Sequence, residues 1–113
     1  MKSPITTHVL DTSLGKPAAG VAVTLYRIGK HDELEPLATG VTNSDGRVMD
    51  LVSEELALGV YQLAFDTAEY FAQLGIESFY PKVMIQFEIK DASEHYHVPL
   101  LLSPFGYSTY RGS

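Results

Sequence analysis

The sequence contains no cysteine, so neither a disulfide nor a thiolate metal site can contribute to its stability or chemistry. Positive charge is also scarce. Lys and Arg number 8 against 14 Asp and Glu, a net charge of −6, which removes the basic footprint that nucleic-acid binding needs. No apolar run approaches the ~18 residues of a membrane-spanning helix, and no basic start followed by an apolar stretch marks a leader. A cytoplasmic location without membrane association is therefore the default expectation. Charged residues make up only 19% of the chain and hydrophobic ones 45%, a balance that supports a packed core and argues against disorder. One domain spanning residues 1–113 is expected, held by packing alone.

Alternation of period two is what the chain does have, and it marks half-buried strands. In Lys82–Lys90 the apolar Val83, Ile85, Phe87 and Ile89 share one face, with Lys82, Gln86, Glu88 and Lys90 on the other. Val21, Val23 and Leu25 alternate in the same way with Ala22, Thr24 and Tyr26. Further strands are expected at Ile5–Leu10, Pro36–Thr42, Arg47–Val52, Val60–Phe65, Tyr96–Leu102 and Tyr107–Arg111. Turn signals separate them at Leu14–Pro17, Asn43–Gly46 and Ser103–Gly106. About eight short strands read as an all-β sandwich. Pro36 belongs at a strand start or a sheet edge, since it cannot donate to a ladder. Only Thr67–Leu74 departs from this period: Asp66 is a suitable N-cap with Glu69 following, and Gly75 suits the position just past the helix. Tyr70, Phe71 and Leu74 are expected to pack that short helix onto the sandwich.

The polar residues that the fold does not need are the candidates for chemistry. Of four histidines, His31 lies in a polar loop and is given no role, whereas His8 and His97 fall inside strands. Tyr96, Val98, Leu100 and Leu102 form the natural core face, so His97, Pro99 and Leu101 point outward. Likewise Ile5 and Val9 face the core while Thr6, His8 and Leu10 face out. An outward face carrying His97, Pro99, Leu101 and Tyr110 is apolar enough to suggest an interface with a second copy of the chain. Three readings of the histidines stand side by side. Each can be an incidental polar residue. His95 and His97, with His8 as a third ligand, can hold a metal. Or an imidazole, with an ordinary pKa of about 6.5, can perform acid–base catalysis at neutral pH.

Four separated stretches carry a family resemblance. The final Tyr110-Arg111-Gly112-Ser113 closely resembles the C-terminal signature of the 5-hydroxyisourate hydrolases, and His97–Pro104 resembles the strand and turn preceding it. Thr7–Thr12, followed by Gly15, Pro17, Ala18 and Gly20, resembles their opening motif; Asp45-Gly46-Arg47 after Thr42 matches their turn with a trailing arginine. The likeness covers nearly the whole chain. It implies a transthyretin-like (prealbumin) β-sandwich of two four-stranded sheets, one short helix after the fifth strand, and a homotetramer with a central channel. It implies as substrate 5-hydroxyisourate, opened in urate degradation to 2-oxo-4-hydroxy-4-carboxy-5-ureidoimidazoline by hydrolysis of a cyclic amide, with no cofactor and no metal.

On that resemblance His8, Arg47 and His97 are the catalytic candidates, and His8, Arg47, Tyr110, Arg111 and Ser113 the substrate-binding ones. His97 is expected to take the proton of an attacking water and His8 to orient that water or relay the proton, although these roles can be exchanged. Arg47 can orient the electron-rich ring through its planar fork of donors. No covalent nucleophile is required, and no Gly-x-Ser-x-Gly elbow is present. A non-catalytic carrier of a small aromatic ligand is the principal rival, and a purely structural sandwich the weaker one.

Overall fold

The computed structural model describes residues 3–112. Among them, nine strands and one helix follow in the order β1 (Ile5–Asp11), β2 (Lys16–Pro17), β3 (Ala22–Ile28), β4 (Leu34–Val41), β5 (Arg47–Val48), β6 (Gly59–Phe65), α1 (Thr67–Gln73), β7 (Val83–Ile89), β8 (Tyr96–Ser103) and β9 (Gly106–Thr109). One sheet runs β4-β3-β6-β7 with every neighbour antiparallel. The other runs β2-β1-β8-β9, and the two-residue β5 pairs with β1 as an additional member. Within it β1 and β8 are parallel, from Ile5 opposite Tyr96 to Asp11 opposite Leu102. No helix among the described residues is long and apolar enough to cross a membrane.

The two sheets bury their alternating apolar faces against each other. Val9 and Leu100 from one, and Val23, Leu25, Leu63 and Phe65 from the other, are wholly inaccessible and belong to one cluster. Each such side chain is worth roughly 1.5–3 kcal/mol when taken out of water, so a core without disulfides suffices. The helix links the sheets: Tyr70 and Phe71 are buried, and the Tyr70 hydroxyl donates to Asp11 Oδ2 at 2.8 Å, at the end of β1.

Several expectations are met with changes that have local causes. Pro36 lies on edge strand β4, where a register shift opposite Leu25 and Tyr26 makes room for it. The segment Leu14–Pro17 is a turn, but its last two residues pair with β1 as β2, so the helix follows the sixth strand rather than the fifth. The strand expected over Arg47–Val52 stops at Val48 because Val48 and Leu51, three apart, are the residues that reach the core. The last strand likewise ends at Thr109 rather than Arg111, with one further antiparallel bridge from Gly112 to His97. Asp66 makes no side-chain cap; its carboxylate lies 3.6 Å from Lys82 Nζ instead. Leu74 does not pack on the sandwich and is 46% exposed. The helix ends in a Schellman turn, with Gly75 at φ 71° and Ile76 N–H donating to Phe71 O at 2.9 Å. The residue beyond the glycine, Ile76, makes the core contact expected of Leu74.

Candidate active site

Sheet register assembles the outward polar residues of β1, β5 and β8. The alternation of β1 sends Thr6 and His8 to the outer face; His8 pairs with Arg47 on one side, and Thr6 pairs with His97 on the other. Directly paired residues on one sheet face have side chains roughly 5 Å apart at Cβ, so His8 and Arg47 are immediate neighbours, with His97 one step along the sheet. The turn before β5 seats Arg47. Asn43 Oδ1 accepts from the N–H groups of Asp45 at 2.9 Å and Arg47 at 3.0 Å, and Val9 N–H donates to Gly46 O at 2.7 Å. Gly46 has φ 74°, and a side chain there would strike Val9 O. Only glycine lets this turn lie so close to β1.

Burial and charge lower the pKa of both imidazoles, which favours their neutral forms. The pKa of His97 is lowered, first by burial, then by the Arg47 guanidinium and by the neighbouring His8 and His95. That of His8 is lowered by burial and then by Arg47, against a smaller opposing influence from the Asp45 backbone and carboxylate. Two neutral rings beside a fixed cation can accept protons and hold an anionic or electron-rich ligand. The buried Thr6 hydroxyl is 2.8 Å from His97 Nδ1 and 2.8 Å from His95 Nε2, so a single oxygen joins the two rings.

The C-terminal tail forms the rim. After Thr109, whose hydroxyl donates to Pro99 O at 2.7 Å, the chain continues alongside β8, and Gly112 N–H donates to His97 O at 2.9 Å. A Cβ on Gly112 would fall 2.5 Å from His97 Cδ2 and 3.3 Å from Pro99 Cγ; the missing side chain lets the tail lie against the histidine ring. The tail covers Pro99, which is buried rather than part of an exposed apolar patch. Arg111 turns aside: its guanidinium sits 3.2 Å from Glu94 and 4.5 Å above the Tyr96 ring. A groove of about 470 Å³ opens beside the tail, lined by His97, Tyr110, Arg111, Phe87, Gln86 and Lys90 among others. His8 and Arg47 do not line it; they stand on the open sheet face.

Of the expected site residues, His8, Arg47 and His97 come together, and Tyr110 and Arg111 reach the His97 side. Ser113 lies outside the described residues. Alternation puts Thr6 on this face without suggesting a role for it, and spacing suggests His95 only as a metal ligand. Parallel pairing of β1 with β8 brings them together, and no local pattern announces a parallel neighbour. His95 Nε2 and His97 Nδ1 both turn to Thr6, and among the described residues no group of three His, Asp or Glu gathers within metal-binding reach.

A model of the HIUase/Transthyretin family matches residues 5–112. A 5-hydroxyisourate hydrolase of Halalkalibacterium halodurans is 50% identical, and the alignment covers 100% of each chain. Among solved structures, 5-hydroxyisourate hydrolase of Klebsiella pneumoniae superposes with a TM-score of 0.86 at 42% identity, again over 100% of both chains. Sea bream transthyretin in complex with thyroxine superposes with a TM-score of 0.92 at 32% identity, covering 97% of this chain and 95% of that one. The backbone alone therefore cannot separate a hydrolase from a hormone-binding relative. Residues on the outer sheet face must.

Proposed function

The chain belongs to the HIUase/Transthyretin family, and from that premise we propose that it hydrolyses 5-hydroxyisourate with His97 as general base, His8 as its partner and Arg47 as the stabilising cation. The activity is that of relatives alike over full length, the 5-hydroxyisourate hydrolases of purine degradation. One observation supports the assignment of residues: sheet register gathers His8, Arg47 and His97 on one face, where burial and Arg47 lower the pKa of both rings.

The reaction requires water to lose a proton as it attacks the ring carbonyl. A neutral imidazole accepts that proton at Nε2 of His97, an assistance worth typically a hundred- to ten-thousandfold. Negative charge then grows on the carbonyl oxygen, and a fixed guanidinium such as Arg47 stabilises it without reorganisation. The C–N bond breaks, the departing ring nitrogen takes back the proton, and 2-oxo-4-hydroxy-4-carboxy-5-ureidoimidazoline leaves. His8, on the strand between those of Arg47 and His97, orients the water, and Tyr110 and Arg111 border the substrate on the His97 side.

Because His8 and Arg47 stand on an open sheet face, a second wall is needed to exclude water and enclose the ring. That wall is supplied, in this reading, by a second copy in a homotetramer with a central channel, since burial strengthens each electrostatic contact. The test is spectrophotometric. 5-Hydroxyisourate made in situ from urate should lose its ultraviolet absorbance much faster with the protein than without it. His97→Asn should abolish the acceleration while leaving the fold intact. Unchanged decay with a folded protein would instead favour a ligand carrier, and wild-type turnover by His97→Asn would refute the base assignment.

A further inference from the structure

We infer that Thr6 and His95 act as positioning residues in a hydrogen-bonded chain, His97–Thr6–His95, that sets the tautomer of His97 and moves its charge out of the site during turnover. The inference rests on the assignment of His97 as base.

The chain has little freedom. Thr6 Oγ1 lies 2.8 Å from a ring nitrogen on each side, yet it carries one proton. It can donate to one imidazole only, so the other ring must donate N–H to it. Two arrangements satisfy all three groups. In the first, His97 Nδ1–H donates to Thr6 and Thr6 donates to His95 Nε2, which leaves the lone pair on His97 Nε2 free to act as base. In the second every proton is shifted one place, and His97 Nε2 carries a proton that it can donate.

Those two arrangements are the two states that hydrolysis needs. As His97 Nε2 takes a proton from the attacking water, His97 Nδ1 passes its own proton to Thr6 Oγ1, and the Thr6 hydroxyl proton moves to His95 Nε2. His95 becomes the imidazolium and His97 remains neutral. When the C–N bond breaks, His97 Nε2 gives its proton to the departing nitrogen, and the chain runs back until His95 is neutral again. No proton is gained or lost over the cycle, and no co-reactant is consumed.

Electrostatic surroundings give the displacement a direction. His97 is half-buried and faced by the Arg47 cation and by His8, both of which oppose a positive charge there. His95 is exposed, and the shallow groove that it lines also contains Glu54, Glu55 and Glu94. Glu94 is shared with Arg111 at 3.2 Å. A cation at His95 therefore has water, Glu54, Glu55 and the Glu94–Arg111 pair around it, whereas one at His97 would stand half-buried beside Arg47. Thr6 is itself buried, and among the described residues its hydroxyl has no other partner than these two rings.

Single-turnover kinetics on the full chain test the chain of bonds. His95→Gln keeps a hydrogen-bonding group near Thr6 but cannot take a proton, and its exposed position spares the core. It should slow single turnover at least about tenfold, part of what acid–base assistance supplies, with KM unchanged. Thr6→Val should do the same, Thr6→Ser should restore most of the rate, and Thr6→Val with His95→Gln should be no slower than either alone, since a chain is broken only once. The dependence of the rate on deuterium content should curve in the wild type and become linear in His95→Gln. Near-wild-type rates for His95→Gln and Thr6→Val, with His97→Asn inactive, would overturn the relay while leaving His97 as base. Should His97→Asn also keep its rate, the underlying assignment fails instead.

Discussion

At the scale of single residues, His97 is defined by what surrounds it more than by its own side chain. Burial, Arg47, His8 and His95 all lower its pKa from the ordinary 6.5. A base works in its neutral form, and a lowered pKa preserves that form further into acid. The kcat/KM profile should therefore be level through neutral pH and fall only below 6.5. Arg47→Gln removes one charge that opposes protonation, so it should reduce activity and also move the acid limb upward toward 6.5. A wild-type limb at or above that value would contradict the reading. Gly112 makes a second residue-scale test. Its Cβ would stand 2.5 Å from His97 Cδ2, so Gly112→Ala should displace the ring and cut turnover, with little change in Tm because the tail is peripheral. Alternation made His8 and His97 legible as outward residues of strands. It could not reveal that Thr6 joins His97 to His95, because that contact spans some ninety positions of the chain.

Elements behave here as levers for those residues. The turn before β5 and the strand β1 lock together through Val9 N–H and Gly46 O, which is how a two-residue strand can hold Arg47 in place. The short helix is tied to the far end of β1 by Tyr70, whose hydroxyl is held protonated by burial and by the bond to Asp11. Asp11 is wholly inaccessible, so Tyr70→Phe leaves one carboxylate oxygen without that donor. Thermal unfolding should show a loss of about 1–3 kcal/mol, with the hydrolytic rate unchanged because the helix is remote from His97. Strand positions were readable from period two wherever one face is buried, as in β7 and β8. Boundaries were less so. Val48, Asp50 and Val52 imitate alternation, yet the chain leaves the sheet after Val48 because Leu51 supplies the next core contact. Leu74 departs from the expected packing for a similar reason, since the left-handed Gly75 rotates the chain and lets Ile76 take the inner position.

At the scale of the whole molecule, the fold leaves the face that carries His8 and Arg47 uncovered, and the proposed tetramer would cover it. Size-exclusion chromatography with light scattering should report four copies; a fully active monomer would refute the enclosed channel. The comparison with relatives makes a related point. Superposition is better on transthyretin than on the hydrolase, 0.92 against 0.86, while identity runs the other way, 32% against 42%. Both relatives share this backbone because the core governs its shape, and the proposed function assigns the activity to a few side chains on the outer sheet.

Local chemistry in the sequence was enough to determine the class of fold, the outward aim of His8 and His97, the glycine turn before Arg47 and, through its motifs, the family. These depend on periods of two residues, on turn chemistry and on short contiguous patterns, all of which act between near neighbours. Tertiary structure alone decided that β1 and β8 run parallel, that β5 docks against β1, and that Thr6 stands between two imidazoles. Such pairings are chosen by the joint burial of distant faces, and no segment carries that information by itself.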